Sequence, residues 1–321
     1  MSGDSISRRE ILSLGAVLLA SEGANASSPA TTEHAPLQKP AVDQLPLVER
    51  SFLRLKEGLV HYRSAGSSQV RGTMPLYLAH AGPGSSRAFE TMLPQLGQHR
   101  FAFAPDMLGN GDSAAPASDS VDMAYYVDCA LRVLDALKLE KVDFYGSHTG
   151  AQIGCQLAVA HPDRVRRLVL DGIPLFPEAF KTQLLAHYAP KITPDDYGGH
   201  LVWAWNFIRD QQLYWPHFDR QAANRLANAV SSADQLQLGV TDVVKALGTY
   251  HIAYRAAFAQ DLRPLLPRLR CPVLMMASER DPLNIYLDEA SALVPGAQKL
   301  RLARTAAPNE RVDAVDKFLA T

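Results

Sequence analysis

The stretch Gly146-Ser147-His148-Thr149-Gly150 decides how this chain folds. It joins a short apolar run with the character of a strand, Val142 to Tyr145, to a segment with helical spacing, Gly150 to Ala160. A strand that turns into a helix over one residue drives that residue to positive φ and brings the helix close across the strand. The positions two before and two after the apex then have room only for glycine. With His148 at the apex those positions are Gly146 and Gly150; with Ser147 there they are Tyr145 and Thr149, and Tyr145 clashes. His148 is therefore expected at the tip of the turn, with Ser147 pointing away from the cleft. Ala151, Gly154 and Ala158 keep the helix close to the sheet.

Working outward, strands and helices alternate. Leu53 to Leu55 and Val60 to Arg63 read as a hairpin about Glu57-Gly58. Leu76 to His80, Phe101 to Pro105 and Leu168 to Leu170 read as strands, and Arg87 to Leu96 and Asp122 to Leu137 as helices. The alternation breaks from Gly172 to about Leu262, where helical segments carry all three tryptophans. It resumes with a strand at Pro272 to Met276, a helix at Asn284 to Leu293, a strand at Lys299 to Leu302 and a helix at Arg311 to Leu319. This order predicts an α/β fold with a mostly parallel central sheet flanked by helices and an inserted helical cap. The body is expected at residues 47–171 and 263–321, and the cap at 172–262.

Thirty-two basic against thirty-three acidic side chains in 321 residues argue against a nucleic-acid binder, which needs a basic face. The three cysteines, Cys129, Cys155 and Cys271, have neither disulfide-framework nor metal-ligand spacing, so no metal site is expected. No stretch after residue 40 approaches the roughly 20 apolar residues of a membrane span. At the N-terminus, Arg8-Arg9 precede the apolar run Ile11 to Ala20 and a small-residue site at Ala24-Asn25-Ala26. That order resembles a twin-arginine export signal over residues 1–26, followed by a linker over 27–46. It predicts a periplasmic or secreted protein; the alternative is a frayed tail on a cytoplasmic one.

Two further motifs agree with the turn. His80-Ala81-Gly82-Pro83-Gly84 follows the third strand, and Asp106-Met107-Leu108-Gly109-Asn110-Gly111-Asp112-Ser113 follows the fourth. Taken with Gly146 to Gly150, they resemble the H-G-x-P loop, the D-x-x-G-x-G-x-S loop and the nucleophile elbow of α/β-hydrolases near epoxide hydrolases, haloalkane dehalogenases and proline iminopeptidases. The resemblance implies an oxyanion hole formed by the backbone N–H groups of Gly82 and Thr149. The mechanical reading of the Asp106 loop is a tight Gly/Asn turn and little more. His80 is expected to brace its loop, with a place in the pocket as the other option.

The resemblance also shows what is missing. The family carries a nucleophile, an acid and a histidine in that chain order. Ser278-Glu279-Arg280-Asp281-Pro282 resembles the segment that delivers the acid and places it at Asp281, with Asp171 as a second candidate. The histidine has no counterpart: the chain after the last strand reads Leu302-Ala303-Arg304-Thr305-Ala306-Ala307, and no histidine follows His251. His148 stands where the usual serine, cysteine or aspartate would be. Its longer ring is expected to fill the vacant space and pair with Asp281.

The aromatic cap suggests a small, largely apolar substrate, with Trp203, Trp205 and Trp215 as candidate pocket residues. The cap histidines His200, His217 and His251 are read as core or surface residues. No phosphate-binding loop or nicotinamide fingerprint is present, so no cofactor is expected. Three readings stay open: an enzyme acting on an ester, lactone or related carbonyl compound through His148 and Asp281; a lyase, isomerase or decarboxylase using His148 as proton carrier; and an inactive ligand-binding relative. The oligomeric state is not legible.

Overall fold

A computed structural model describes residues 45–67 and 73–321. The export signal and nearly all of the linker lie outside the described residues. Eight strands form one sheet: β1 (Glu49–Leu55), β2 (Gly58–Ala65), β3 (Leu76–Ala79), β4 (Ala102–Pro105), β5 (Val142–Ser147), β6 (Val165–Asp171), β7 (Val273–Ser278) and β8 (Gln298–Leu302). Their order is β1-β2-β4-β3-β5-β6-β7-β8. The first hairpin and the β2–β4 pair are antiparallel; every other neighbouring pair is parallel. Central strands of such a sheet are covered on both faces and read as near-continuous apolar runs, as the fully buried β3 and β4 do.

One apolar layer packs α2 (Met123–Ala136), α3 (Thr149–Ala160) and α8 (Leu287–Ala292) against one face of the sheet. A second packs α1 (Leu93–Leu96) and α9 (Pro308–Ala320) against the other, through Leu93, Leu96, Val315 and Phe318. In α2 the stripe Met123, Tyr126, Val127, Ala130, Val133 and Leu134 has the spacing that buries one helix face. The Asp122 carboxylate caps its start by accepting from Tyr125 N–H at 3.0 Å.

Two expected helices are shorter than the periodicity suggests. Arg87 to Leu96 is a 3-10 turn, Ser86–Phe89, followed by α1. Pro94 has no N–H to donate back to Glu90, so a continuous helix across this stretch would be broken there. Asn284 to Leu293 likewise opens as a 3-10 turn, Pro282–Tyr286, before α8.

Between β6 and β7 the described chain forms α4 (Glu178–His187), α5 (Gly199–Leu213), α6 (Ala233–Lys245) and α7 (Tyr250–Ala259). They share an aromatic core of Phe176, Tyr188, Phe207, Tyr250, Tyr254 and Phe258. No helix among the described residues is long and apolar enough to cross a membrane.

Candidate active site

At the end of β5, His148 adopts φ 50° and ψ −109°, a conformation that side-chain-bearing residues rarely occupy. The flanking glycines explain how it is tolerated. A Cβ on Gly146 would collide with the carbonyl oxygen of Gly150, and one on Gly150 with that of Ala79. Main-chain hydrogen bonds hold the apex from both sides: His148 N–H donates to Asp171 C=O at 2.9 Å, and Gln152 N–H to His148 C=O at 3.0 Å. The N–H groups of Thr149, Gly150 and Ala151 belong to the first turn of α3, where a helix has donors to spare.

The His148 ring reaches across to Asp281, with Nε2 and Oδ2 2.6 Å apart. The other carboxylate oxygen, Oδ1, accepts from Leu283 N–H at 2.8 Å and caps the 3-10 turn after β7. Asp281 is thus held at both oxygens, and the ring is oriented by a fixed acceptor. Burial opposes charging His148, but the charge of Asp281 and its hydrogen bond outweigh burial and the opposing charge of Arg311, so the imidazole is held above its ordinary value. Burial likewise opposes ionising Asp281; the charge of His148, its hydrogen bond and the Leu283 N–H overcome this and hold the carboxyl below its ordinary value. The two directions agree: the pair favours imidazolium beside carboxylate. The His148 side chain stays 38% exposed, so this is a partly screened pair.

Gly172 makes the pairing possible. It has φ 76°, and a Cβ there would strike His148 Cδ2 and lie 2.7 Å from Nε2 and 3.0 Å from Asp281 Oδ2. The Cδ2–Nε2 edge of the ring therefore faces Gly172 and Asp281, which turns the Nδ1–Cε1 edge away from them. His148 also lines a cavity of about 150 Å³. Gly82, Thr149 and Gln152 share its polar side, and Phe176, Trp215 and Phe258 its apolar side. The Gly82 N–H points at Thr149 Oγ1 over 3.4 Å, a long contact that a better acceptor would displace.

Several expected site residues lie elsewhere. Asp171 does not reach the His148 ring: its carboxylate takes the Tyr145 hydroxyl at 2.5 Å and pairs with Arg311 of α9. It braces the sheet end beneath the turn. His80 is fully buried and does not line the cavity. Its Nε2 accepts from Met107 N–H at 2.9 Å, so its proton sits on Nδ1, 2.8 Å from Ala81 C=O. Burial, partly offset by the charge of Asp106, holds it below the ordinary imidazole value, as suits a loop brace.

Of the three tryptophans only Trp215 borders the cavity. Trp203 stacks on Phe207 with ring centres 4.8 Å apart, inside the helical insertion. Trp205, two residues along α5, projects about 200° around the helix from Trp203 and is half-buried away from the cavity. His200, His217 and His251 do not line it either; His200 lies against Asp195 and His217 against the Tyr188 carbonyl.

Two features were not singled out by the sequence, and a third was read too narrowly. Gly172 follows a strand and resembles any turn glycine. Gln152 sits one helical turn after His148, on the same face, and its Oε1 is buried beside the cavity without a protein partner among the described residues. The i,i+4 spacing from the apex was the available signal. The Asp106 loop is the third, and it is more than a turn. Asp106 accepts from His61 Nδ1 at 2.9 Å, Ser86 N–H at 2.6 Å and Asp112 N–H at 2.9 Å. His61, Asp106 and Asp112 lie close enough together to resemble a metal cluster, but Arg50 and Lys245 already occupy the Asp112 carboxylate, and Arg50 the free nitrogen of His61. Their lone pairs are used within the protein.

Comparison with known proteins agrees with this architecture. The family model described as alpha/beta hydrolase fold matches residues 74–305. The chain is 44% identical to 2-hydroxymuconate semialdehyde hydrolase of Pseudomonas sp. (strain CF600) over 101 residues, 30% of this chain and 36% of that protein. It is 29% identical to epoxide hydrolase 4 of Mus musculus over 144 residues, 43% of this chain and 38% of that one. The match thus spans little more than a third of the length of these curated relatives. Among solved structures, epoxide hydrolase A from Mycobacterium thermoresistibile superposes with a TM-score of 0.66 at 19% identity, covering 85% of this chain and 98% of that one. The enol-lactonase from Burkholderia xenovorans LB400 gives 0.62 at 20% identity, covering 84% and 100%. With the turn, the sheet order and the family match in agreement, this chain belongs to the α/β hydrolase fold family.

Proposed function

We propose that this protein is a hydrolase of small, largely apolar esters, lactones or related carbonyl compounds, with His148 and Asp281 as its reactive pair. The observation that carries the reading is the 2.6 Å contact from Nε2 to Asp281, with the opposite edge of the ring free of that contact and His148 on the cavity wall. When the ring holds one proton, Asp281 draws it to Nε2, leaving the Nδ1 lone pair as a base. Nδ1 takes a proton from water as the water oxygen adds to the substrate carbonyl. The Gly82 and Thr149 N–H groups and the start of α3 receive the developing oxyanion. Collapse of the adduct breaks the bond to the leaving oxygen or carbon, and Nδ1–H returns the proton to it. Asp281 steadies the transient imidazolium, which is why a raised imidazole value suits the role.

Similarity to a semialdehyde hydrolase, an epoxide hydrolase and an enol-lactonase supports a small organic substrate. The aromatic wall of Phe176, Trp215 and Phe258 favours an apolar body, and Gln152 Oε1 offers one acceptor to a donor on it. The favoured imidazolium also fits a proton-carrying lyase or isomerase, in which Nδ1–H acts first as an acid. Also proposed are export under the N-terminal segment and a cap role for the helices between β6 and β7.

The test is turnover of a panel of aryl and alkyl esters, lactones and epoxides by wild type, His148→Ala and His148→Ser. The expected result is turnover of an ester or lactone, slowed in His148→Ala by about 10²–10⁴-fold. His148→Ser should not recover it, because no imidazole follows the last strand to activate the hydroxyl. Equal rates in wild type and His148→Ala would move the chemistry elsewhere; turnover confined to eliminations or isomerisations would favour the proton carrier.

A further inference from the structure

Beside the catalytic cavity lies a second, larger one of about 470 Å³, and Gln211 and Pro282 line both. Its remaining wall comes from Gln212 and residues 226–229 and 231 of the insertion, and from Arg280 and Arg304 of the body. Both arginines are exposed, and neither has a carboxylate within ion-pair distance among the described residues, whereas Arg220, Arg263 and Arg311 each have one. The two differ in how they are held. Arg304 is a clamp: Nη1 donates to Ala227 C=O at 3.1 Å and Asn228 Oδ1 at 2.9 Å, and Nη2 to Glu279 C=O at 3.2 Å. All its acceptors are neutral, so its charge is not cancelled by them. The nearest acid, Glu279, spends one oxygen on the Arg304 main-chain N–H at 2.9 Å.

Arg280 is anchored through Nε alone, which donates to Arg304 C=O at 2.8 Å, while Asn228 holds its carbonyl at 3.1 Å. Its two terminal nitrogens have no protein partner among the described residues. A guanidinium fixed at Nε and open at Nη1 and Nη2 presents the parallel pair of N–H donors that fits a carboxylate. Arg280 also precedes Asp281 directly in the chain. Its position is therefore tied to that of the reactive pair, with Pro282 and Gln211 as the shared partition.

We propose that the outer cavity is a carboxylate-binding site, in which Arg280 meets the anion and Arg304 supplies a second positive charge behind it. A carboxylate-bearing ligand would place its acid group there and its apolar body towards the aromatic cavity. Assigning that ligand as the substrate or product of His148 rests on the hydrolase reading above; the binding itself does not. The substrate class narrows accordingly, from neutral carbonyl compounds to those that carry an acid group at a distance from the reacting carbon.

Calorimetric titration of the whole protein with 4-phenylbutyrate and with the neutral 4-phenylbutyramide tests this. Wild type is expected to bind the acid at least tenfold more tightly than the amide, a preference that shrinks as salt screens the charges. Arg280→Gln should bring the two affinities within about twofold, and Arg280→Lys should keep part of the preference, as a point charge without the fork. No binding of the acid by wild type, equal affinity for acid and amide, or an unchanged preference in Arg280→Gln overturns the site. Because binding needs no turnover, an inactive protein that keeps the preference counts against the reaction alone. An active one without the preference counts against the carboxylate site alone.

Discussion

Of the three histidine–aspartate pairs among the described residues, the two at the motif loops are opposites in use. In the first, His61 Nδ1 meets Asp106 Oδ2 at 2.9 Å, with both side chains at 0–1% exposure. Arg50 Nε–H donates to His61 Nε2 at 3.0 Å, so the ring proton is on Nδ1 and neither nitrogen is left over. In the second, His148 meets Asp281 at 2.6 Å on a half-buried turn, with one ring nitrogen committed and the other edge turned away. Proximity of imidazole and carboxylate is common to both. A free valence beside a cavity, on strained backbone, belongs only to the second, and that is the property that chemistry needs.

The sharpest way to break the comparison is to remove each acid in turn. Asp106→Asn takes one acceptor oxygen and the charge from three donors, two of them buried, and should lower the unfolding free energy by roughly 3 kcal/mol in urea titrations. Asp281→Asn should cost about 1 kcal/mol or less, since its pair is partly screened, while turnover falls steeply. The reverse ranking would mean that the roles have been assigned the wrong way round. Acid should show the same contrast. Burial opposes ionising Asp106, but its hydrogen bonds and the charge of His80 hold it well below the usual carboxylate range. Its contribution is thus present above the unfolded carboxylate value and lost as pH falls through the folded one.

A smaller effect is expected at Gly172. Gly172→Ala puts a methyl group against the His148 ring at φ 76°, where an L-residue costs about 1–2 kcal/mol. The expected outcome is a fall in kcat of at least about tenfold with unchanged circular dichroism; full activity would show that the ring can leave Asp281 without consequence. Smallest is a shift in pH dependence. If unprotonated His148 is the base, kcat/KM rises with pH through a value above the ordinary imidazole 6.5. In Asp281→Asn burial is no longer outweighed, so the acid limb should move to lower pH. A limb that stays in place assigns it to another group.

Much of this was legible in the residues. The glycines at 146 and 150 set the register of the turn, because van der Waals contact at a crossing of helix and strand admits no side chain there. The alternation of apolar runs foretold the parallel sheet for a similar reason: strands buried on both faces cannot be polar. Asp281 was placed by its neighbours in sequence, Ser278 to Pro282. What stayed hidden depends on direction rather than residue type. Asp171 and Asp281 are both acids at strand ends, and only the Tyr145 hydroxyl and Arg311, distant in sequence, turn one of them away from His148. Trp203, Trp205 and Trp215 are equally apolar; helix phase and the chain path after α5 decide which meets the cavity.

The turn after β8 carries a consequence for how this site can change. It reads Ala303 to Ala307 and holds no imidazole, and its Arg304 clamps residues 227 and 228. A serine placed at the apex alone yields a hydroxyl with no base in this turn, and a histidine added to this turn alone meets a cleft where His148 already pairs with Asp281. Each single step passes through a worse molecule. The arrangement at His148 is therefore held in place from far along the chain: a serine-based site needs concerted change at the apex and in the turn after β8.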